Sequence, residues 1–329
     1  MTKMTERLTL KEASKIEDNL TSGHRLCAGC AHPIVGRIIM KAAADIPTIV
    51  TNATGCLEVA TTIFPFTSWK VPWLHNAFEN AAANASGIEA AWKAHRRRGN
   101  GPLSQYERLN IIAFGGDGGT YDIGFQALSG ALERGHDFTY ILMDNEAYMN
   151  TGIQRSGGTP LAASTTTSPA GKVIPGKMEW KKPIDEIMVA HEIPYVATMS
   201  PAYPQDVLDK SRKAFHMDGP KFLHAIIPCT RGWRYPTADT ITIARLATQT
   251  CIFPLYEVER EKGRPVYRLS AASAAIARRP DAKKPVEEYL KTQGRFRHLF
   301  RPEKDEELVQ AIQDGIDHRW EILLEKAGL

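Results

Sequence analysis

The chain has 329 residues, with 41 lysines and arginines against 37 aspartates and glutamates, a formal net charge of +4. That bias is too weak to argue for nucleic acid, and 43% hydrophobic with 24% charged residues is a globular composition, which excludes a disordered, collagenous or disulfide-dense chain. No apolar run approaches the roughly 18 residues of a membrane span, and the start, Met1 to Arg7, lacks the apolar stretch of a secretory signal. The expectation is a soluble cytoplasmic protein. Its five cysteines, Cys27, Cys30, Cys56, Cys229 and Cys251, are an odd number in a large chain, so catalytic or metal-binding use is expected over a disulfide framework.

Residues 1–24 are polar and read as an extended arm or a lead-in helix. Helical apolar spacing runs from Ile34 to Ala44, and Thr48 to Thr51 is a short β-branched strand leading into Ala53-Thr54-Gly55-Cys56. Residues 77–98 predict a helix of small residues ending in His95-Arg96-Arg97-Arg98, cations that complement a helix C-terminus. Next come a buried strand at Leu109 to Phe114, a glycine turn, a helix over about 122–134 and a second buried strand at Phe138 to Met143. This is a βαβ unit, which implies a parallel sheet. Residues 154–183 form a long Gly-, Ser-, Thr- and Pro-containing loop, a length that usually signals function. Strands at Pro194 to Thr198 and Phe222 to Ile227 follow. From about 262 the chain is charged and less regular before a helix over about 304–326. Residues 1–260 therefore read as one α/β domain and 261–329 as a C-terminal extension.

The first strand of the unit ends in Gly115-Gly116-Asp117-Gly118-Gly119 and the second in Asp144-Asn145-Glu146-Ala147, with 26 residues between Gly118 and Asn145. That length fits one helix and a returning parallel strand, so Asp117 and Asn145 emerge together at the carboxyl edge, where ligands bind. A carboxylate and an amide oxygen are hard donors suited to Mg²⁺, and the glycines let backbone N–H groups approach a diphosphate at the following helix N-terminus. The pattern is neither a dinucleotide fingerprint nor a P-loop. Gly116-Asp117-Gly118, 26 residues and Asn145 match the motif that holds thiamine diphosphate with Mg²⁺.

Cys27-Ala28-Gly29-Cys30 is followed after 25 residues by Cys56 and after a further 172 by Cys229. No second Cys-x-x-Cys exists, so a zinc ribbon is a poor fit. Cys27 and Cys30 alone fit a redox dithiol. Together with Cys56 and Cys229, both expected at strand ends, they favour an iron-sulfur cluster, whose ligands can be widely scattered. Cys251, in an unpaired apolar setting, reads as a core thiol.

The combination resembles the thiamine-binding beta subunit of the 2-oxoacid:ferredoxin oxidoreductases, and the pyruvate members most. The resemblance is carried by Cys27-Ala28-Gly29-Cys30, Thr54-Gly55-Cys56-Leu57-Glu58-Val59, Val71-Pro72-Trp73-Leu74-His75, Phe78-Glu79-Asn80, Gly116 to Gly119, Asp144 to Gly152, Cys229 to Arg234 and Gln293-Gly294-Arg295-Phe296. It implies a thiamine-diphosphate module with helices on both sheet faces and a cluster-binding N-terminal segment. It also implies oxidative decarboxylation of a 2-oxoacid, electrons leaving singly through one 4Fe-4S cluster to ferredoxin or another acceptor, and coenzyme A as co-substrate. By match of position Asp117, Asn145 and the Ala147 carbonyl would ligate Mg²⁺, and Cys27, Cys30, Cys56 and Cys229 the cluster. Gly116, Gly118, Gly119, Thr54 and Gly55 would border the cofactor, and Asn150 would face the reacting carbon. His32, Glu58 and His75 lie in or beside these motifs, and each reads equally as a cofactor contact or a structural side chain.

Thiamine chemistry also requires a glutamate at the aminopyrimidine from a second α/β module. This chain has one, so an alpha-type partner subunit is expected, together with gamma- and ferredoxin-like delta-type subunits. One departure concerns substrate: Leu161-Ala162-Ala163-Ser164 stands where pyruvate members carry a Tyr-Gly-Ala-Trp-like stretch. If these residues lined the pocket, an aromatic 2-oxoacid such as phenylglyoxylate would fit; otherwise the change is loop drift. A rival of another class is an electron-relay subunit without catalysis, and a third reading is a non-redox thiamine decarboxylase.

Overall fold

The computed structural model describes residues 7–329. Strands β1 (Thr48–Ala53), β2 (Trp73–Asn76), β3 (Asn110–Gly116), β4 (Thr139–Asp144), β5 (Tyr195–Met199), β6 (Lys221–Ile226), β7 (Tyr256–Glu261) and β8 (Arg264–Leu269) form one sheet in the order β2-β1-β3-β4-β6-β5-β7-β8. The first six are parallel, and β7 and β8 add as an antiparallel hairpin. Strands β3 and β4 are almost wholly buried, because a parallel strand covered on both sides has no solvent face; hence their near-continuous apolar sequences. Alternate residues serve opposite layers. Ile111 and Ala113 join one core with helices α4 (Ala81–Arg98) and α5 (Phe125–Glu133), while Ile112 and Phe114 join the other with α2 (His32–Ala42) and α7 (Pro204–Phe215).

The strand order places the site. Chain β1 leads to β2 on one side and β3 leads to β4 on the other, so β1 and β3 are neighbours whose following connections diverge. A crevice opens at the carboxyl ends of such a pair. The pairings Asn52 with Phe114, Gly116 with Met143 and Asp144 with Ile226 keep these ends level.

The expected βαβ unit is present, with one difference. The helix after β3 opens as a π-wound turn over Gly118–Ile123 before α5 begins, a form frequent at functional sites. The helix expected over 77–98 starts at Ala81, and β2 precedes it. The segment after residue 255 is more regular than its charge suggested. Tyr256, Val258 and Tyr267 are buried while Glu259, Glu261 and Arg268 pair across the hairpin, and Lys262-Gly263 turn it with positive φ. Position 260 lies inside β7, and Phe296, Val309 and Trp320 beyond it join the core of the sheet. Among the described residues no helix is long and apolar enough to cross a membrane.

A buried ionic cluster anchors the end of β4. Asp144 is fully buried and accepts from Lys181 Nζ (2.6 Å), His224 Nε2 (2.8 Å), the Tyr121 hydroxyl (3.0 Å) and the Glu146 N–H (2.9 Å). His224 Nδ1 lies 3.0 Å from Asp185. Burial opposes charge on both groups, yet Lys181 and His224 hold the Asp144 carboxyl well below its usual range, and Asp185 and Asp144 raise His224 to about 9. Because the folded value exceeds the ordinary 6.5, the stabilisation is complete below pH 6.5 and is lost as pH rises through 9. The loss is on the order of 3 kcal/mol. Denaturant unfolding should show that decline across this window, and His224→Gln should abolish it; an equal slope in the variant would contradict the assignment.

Candidate active site

The crevice between β1 and β3 is lined by Asn52 to Leu57, Phe114 to Gly119, Met143, Asn145 and Ala147 to Thr151, with His32 and Phe78 beside them. Glycine is required at 118, where a Cβ would fall 2.2 Å from the Tyr148 ring. At Gly116 a Cβ would meet nothing within 4 Å, and the bare backbone faces open space in the cleft. Asp117 is 1% exposed. Burial, and then the nearby Asp144 charge, push its carboxyl well above the ordinary range. The Ser156 hydroxyl donates to Asp117 Oδ2, and no basic side chain among the described residues forms an ion pair with it.

The Asn145 amide bears directly on what would compensate Asp117. One atom of its head lies 3.0 Å from Asp117 Oδ1 and 2.8 Å from the Ala147 carbonyl oxygen. Turned nitrogen-first, the amide donates to both. Turned oxygen-first, it brings three oxygens around one point. In an octahedral shell with Mg–O distances of about 2.1 Å, adjacent ligand oxygens are about 3 Å apart, so the spacing and donor chemistry fit Mg²⁺. A second observation concerns Asn52, which lines the cleft at 2% exposure with an Nδ2 that has no hydrogen-bond partner among the described residues. A buried donor left unpaired is costly, and a ligand oxygen in the cleft would satisfy it.

Four of the cysteines gather beside this cleft. The Cys27–Cys30 loop is tied to the segment after Cys229 by Thr230 Oγ1 to the Ala28 carbonyl (3.2 Å) and Thr240 Oγ1 to the Gly29 carbonyl (2.5 Å). Cys56 starts helix α3 (Cys56–Thr61) on the cleft wall. Burial pushes the Cys30 thiol up to about 12 and raises Cys56 further, and in both the charges of Cys229 and Cys27 add to the effect. Asp117 contributes at Cys56. All four are free thiols. Among the described residues no three or more His, Cys, Asp or Glu side chains are placed to hold a metal ion together.

The softer candidates separate. His32 is buried on the cleft wall with Nδ1 3.3 Å from Cys30 Sγ, and burial lowers it to about 4. Asn150 is an exposed residue of the lining, and Thr54 and Gly55 also line it. Glu58 and His75 are not in the lining; they pair with each other at 3.0 Å, and Thr62 Oγ1 donates to Glu58 (3.1 Å). Leu161-Ala162-Ala163-Ser164 is also absent from the cleft wall. Ala162 and Ala163 are fully buried in the core, Ser164 N donates to the Arg295 carbonyl (3.0 Å), and Leu161 borders a separate cavity of about 410 Å³. The enlargement argument for phenylglyoxylate thereby loses its premise in this chain. Asn52 and Ser156 escaped the sequence reading. Nothing in local pattern distinguishes them, although Ser156 lies in the long loop that the reading marked as functional.

Comparison with known proteins agrees with this geometry. The family described as thiamine pyrophosphate enzyme, C-terminal TPP binding domain, matches residues 53–225. The chain is 54% identical over 93% of its length, and 97% of the relative's, to the pyruvate synthase subunit PorB of Methanocaldococcus jannaschii. It is 50% identical to PorB of Thermotoga maritima, covering 95% and 94%, and 42% identical to the ketoisovalerate oxidoreductase subunit VorB of Pyrococcus abyssi, covering 96% and 94%. Its fold is similar to the solved 2-oxoglutarate:ferredoxin oxidoreductase of Magnetococcus marinus, with a TM-score of 0.54 at 18% identity over 85% of this chain and 92% of that one. The chain belongs to the thiamine-pyrophosphate-binding beta subunits of the 2-oxoacid:ferredoxin oxidoreductases.

Proposed function

We propose that this chain is the catalytic beta subunit of a pyruvate:ferredoxin oxidoreductase, which converts pyruvate and coenzyme A to acetyl-CoA and carbon dioxide. The observation that carries the reading is the Asn145 side-chain amide, one head atom of which lies 3.0 Å from Asp117 Oδ1 and 2.8 Å from the Ala147 carbonyl oxygen. In this reading the three hold Mg²⁺, whose charge compensates the buried Asp117 carboxylate and the diphosphate. Gly118 and Gly119, which open the π-wound turn, and Asn52 line the cleft and would offer N–H groups to the diphosphate. When bound, thiamine diphosphate would supply the nucleophilic carbanion for addition to the electrophilic 2-oxo carbon. Asn150 and His32, on the cleft wall, orient the substrate by hydrogen bonding. The names and identities of the PorB relatives favour pyruvate over larger 2-oxoacids.

Cys27, Cys30, Cys56 and Cys229 would hold the 4Fe-4S cluster beside the cleft, within reach of electrons leaving the substrate. Ferredoxin or a comparable carrier receives them, through a delta-type subunit if one is present. The described residues form one α/β sheet, which supports a half-site: an alpha-type subunit supplies the glutamate and the other wall, and a gamma-type subunit completes the complex.

Asp117→Ala removes one of few protein oxygens on the metal. Thiamine diphosphate content of the purified complex should collapse while the fold persists by circular dichroism; full occupancy would refute the site. Cys229→Ser exchanges a soft thiolate for a hard hydroxyl and should lower iron content or make it labile, whereas Cys251→Ser, at a buried core thiol, should not. Equal iron in the two would overturn the choice of ligands. The chain purified without partners should turn over no 2-oxoacid, and turnover by the single polypeptide would contradict the half-site.

A further inference from the structure

Glu146 sits between two of the proposed ligands and has a backbone φ of 69°. This left-handed conformation is uncommon outside glycine, and surrounding contacts must hold it. The turn lets the Asn145 side chain and the Ala147 carbonyl, two residues apart, face the same point. The Glu146 carboxylate is held by Arg295 Nη2 at 2.6 Å and Lys181 Nζ at 3.0 Å, and its carbonyl accepts from Thr159 Oγ1 at 2.8 Å.

Arg295 lies far along the chain, on a 3-10 turn over Gly294–Leu299, yet it is 2% exposed. Its guanidinium lies 4.0 Å from the centre of the Trp233 ring, and Nε donates to Gln293 Oε1 at 2.8 Å. The Trp233 indole in turn donates to the Asn145 backbone carbonyl at 2.8 Å. One cation therefore braces the loop twice, through the Glu146 carboxylate and through Trp233 at Asn145. Lys181 reaches only the first of these points and is shared with Asp144.

We propose that Arg295 is a positioning residue for the metal-diphosphate loop: by clamping Glu146 in its left-handed turn and seating Trp233 against Asn145, it aims the Asn145 amide and the Ala147 carbonyl at Asp117. The proposal rests on the reading of these three as Mg²⁺ ligands. Arg295 would touch neither metal nor diphosphate. Its removal loosens the geometry of the ligands while leaving their number unchanged. Partners that orient ligands in this way typically change metal affinity by about 10- to 100-fold.

The test uses the assembled complex, stripped of Mg²⁺ and cofactor and then titrated with Mg²⁺ at fixed thiamine diphosphate, with bound cofactor as the readout. In Arg295→Met the half-saturating Mg²⁺ concentration should rise about 10- to 100-fold, with full cofactor binding recovered at high Mg²⁺ and iron content unchanged. Arg295→Lys should recover part of the affinity, because an ammonium can pair with Glu146 but cannot lie flat on Trp233. In a Glu146→Gln background, Arg295→Met should have a smaller effect, confined to the brace that runs through Trp233. An unaltered Mg²⁺ requirement in Arg295→Met, or an effect undiminished in the Glu146→Gln background, would overturn the proposal. Should Arg295→Met fail to assemble, Arg295→Lys decides: a raised requirement supports the role and a wild-type requirement removes it. Asp117→Ala separates the two levels. Wild-type Mg²⁺ demand in that variant would remove the ligand assignment itself, whereas loss there beside a wild-type Arg295→Met would remove this proposal alone.

Discussion

A carboxylate buried with no basic partner among the described residues is the constraint around which the site is arranged. Asp117 stands at the end of β3, 1% exposed, and its negative charge is unfavourable there unless something positive meets it. Among the described residues no lysine or arginine forms an ion pair with it. The fold supplies a neighbouring amide and a carbonyl, which are oxygen donors of the same kind. That arrangement favours a small divalent cation bridging to an anionic ligand, and the parallel strand order directs the opening of the cleft to the same point.

The cation-rich network behind the cleft serves a different purpose. Lys181, His224 and Arg295 compensate Asp144, Asp185 and Glu146, so these carboxylates act as struts and are not free to ligate. Buried ion pairs of this type contribute little net stability but are costly to break singly. They tie down Asp144 and Glu146, the residues on both sides of Asn145. Among the described residues the C-terminal region reaches the site through this network by way of Arg295, which pairs with Glu146 and lies over the Trp233 ring, four residues after Cys229.

The parts of this architecture that were legible in the sequence are those set by local pattern. The paired buried strands around Gly116-Asp117-Gly118 announce themselves because both faces are covered, and the spacing to Asn145 is dictated by one crossover. The cysteine quartet was legible because thiols in such numbers have few uses. Strand β2 was not, since four edge residues, two of them exposed and one buried, are too few to carry a period. The β7–β8 hairpin was concealed by reading alternating charge as irregularity, when its buried Tyr256, Val258 and Tyr267 mark a strand period of two. Asn52, Ser156 and the Arg295–Glu146 pair depend on contacts made only after folding; the last joins residues 149 positions apart. For the same reason Leu161 to Ser164, beside the motif in sequence, lies away from the cleft in space.

Anomalous scattering from crystals of the complex grown with Mn²⁺ in place of Mg²⁺ and with thiamine diphosphate tests the central claim most directly. The account predicts one strong peak at coordination distance from Asp117 Oδ1, the Asn145 side-chain oxygen and the Ala147 carbonyl, with the Asn145 amide turned oxygen-first. A cofactor bound in the cleft with the amide nitrogen still donating to Asp117, and the metal elsewhere or absent, would contradict it.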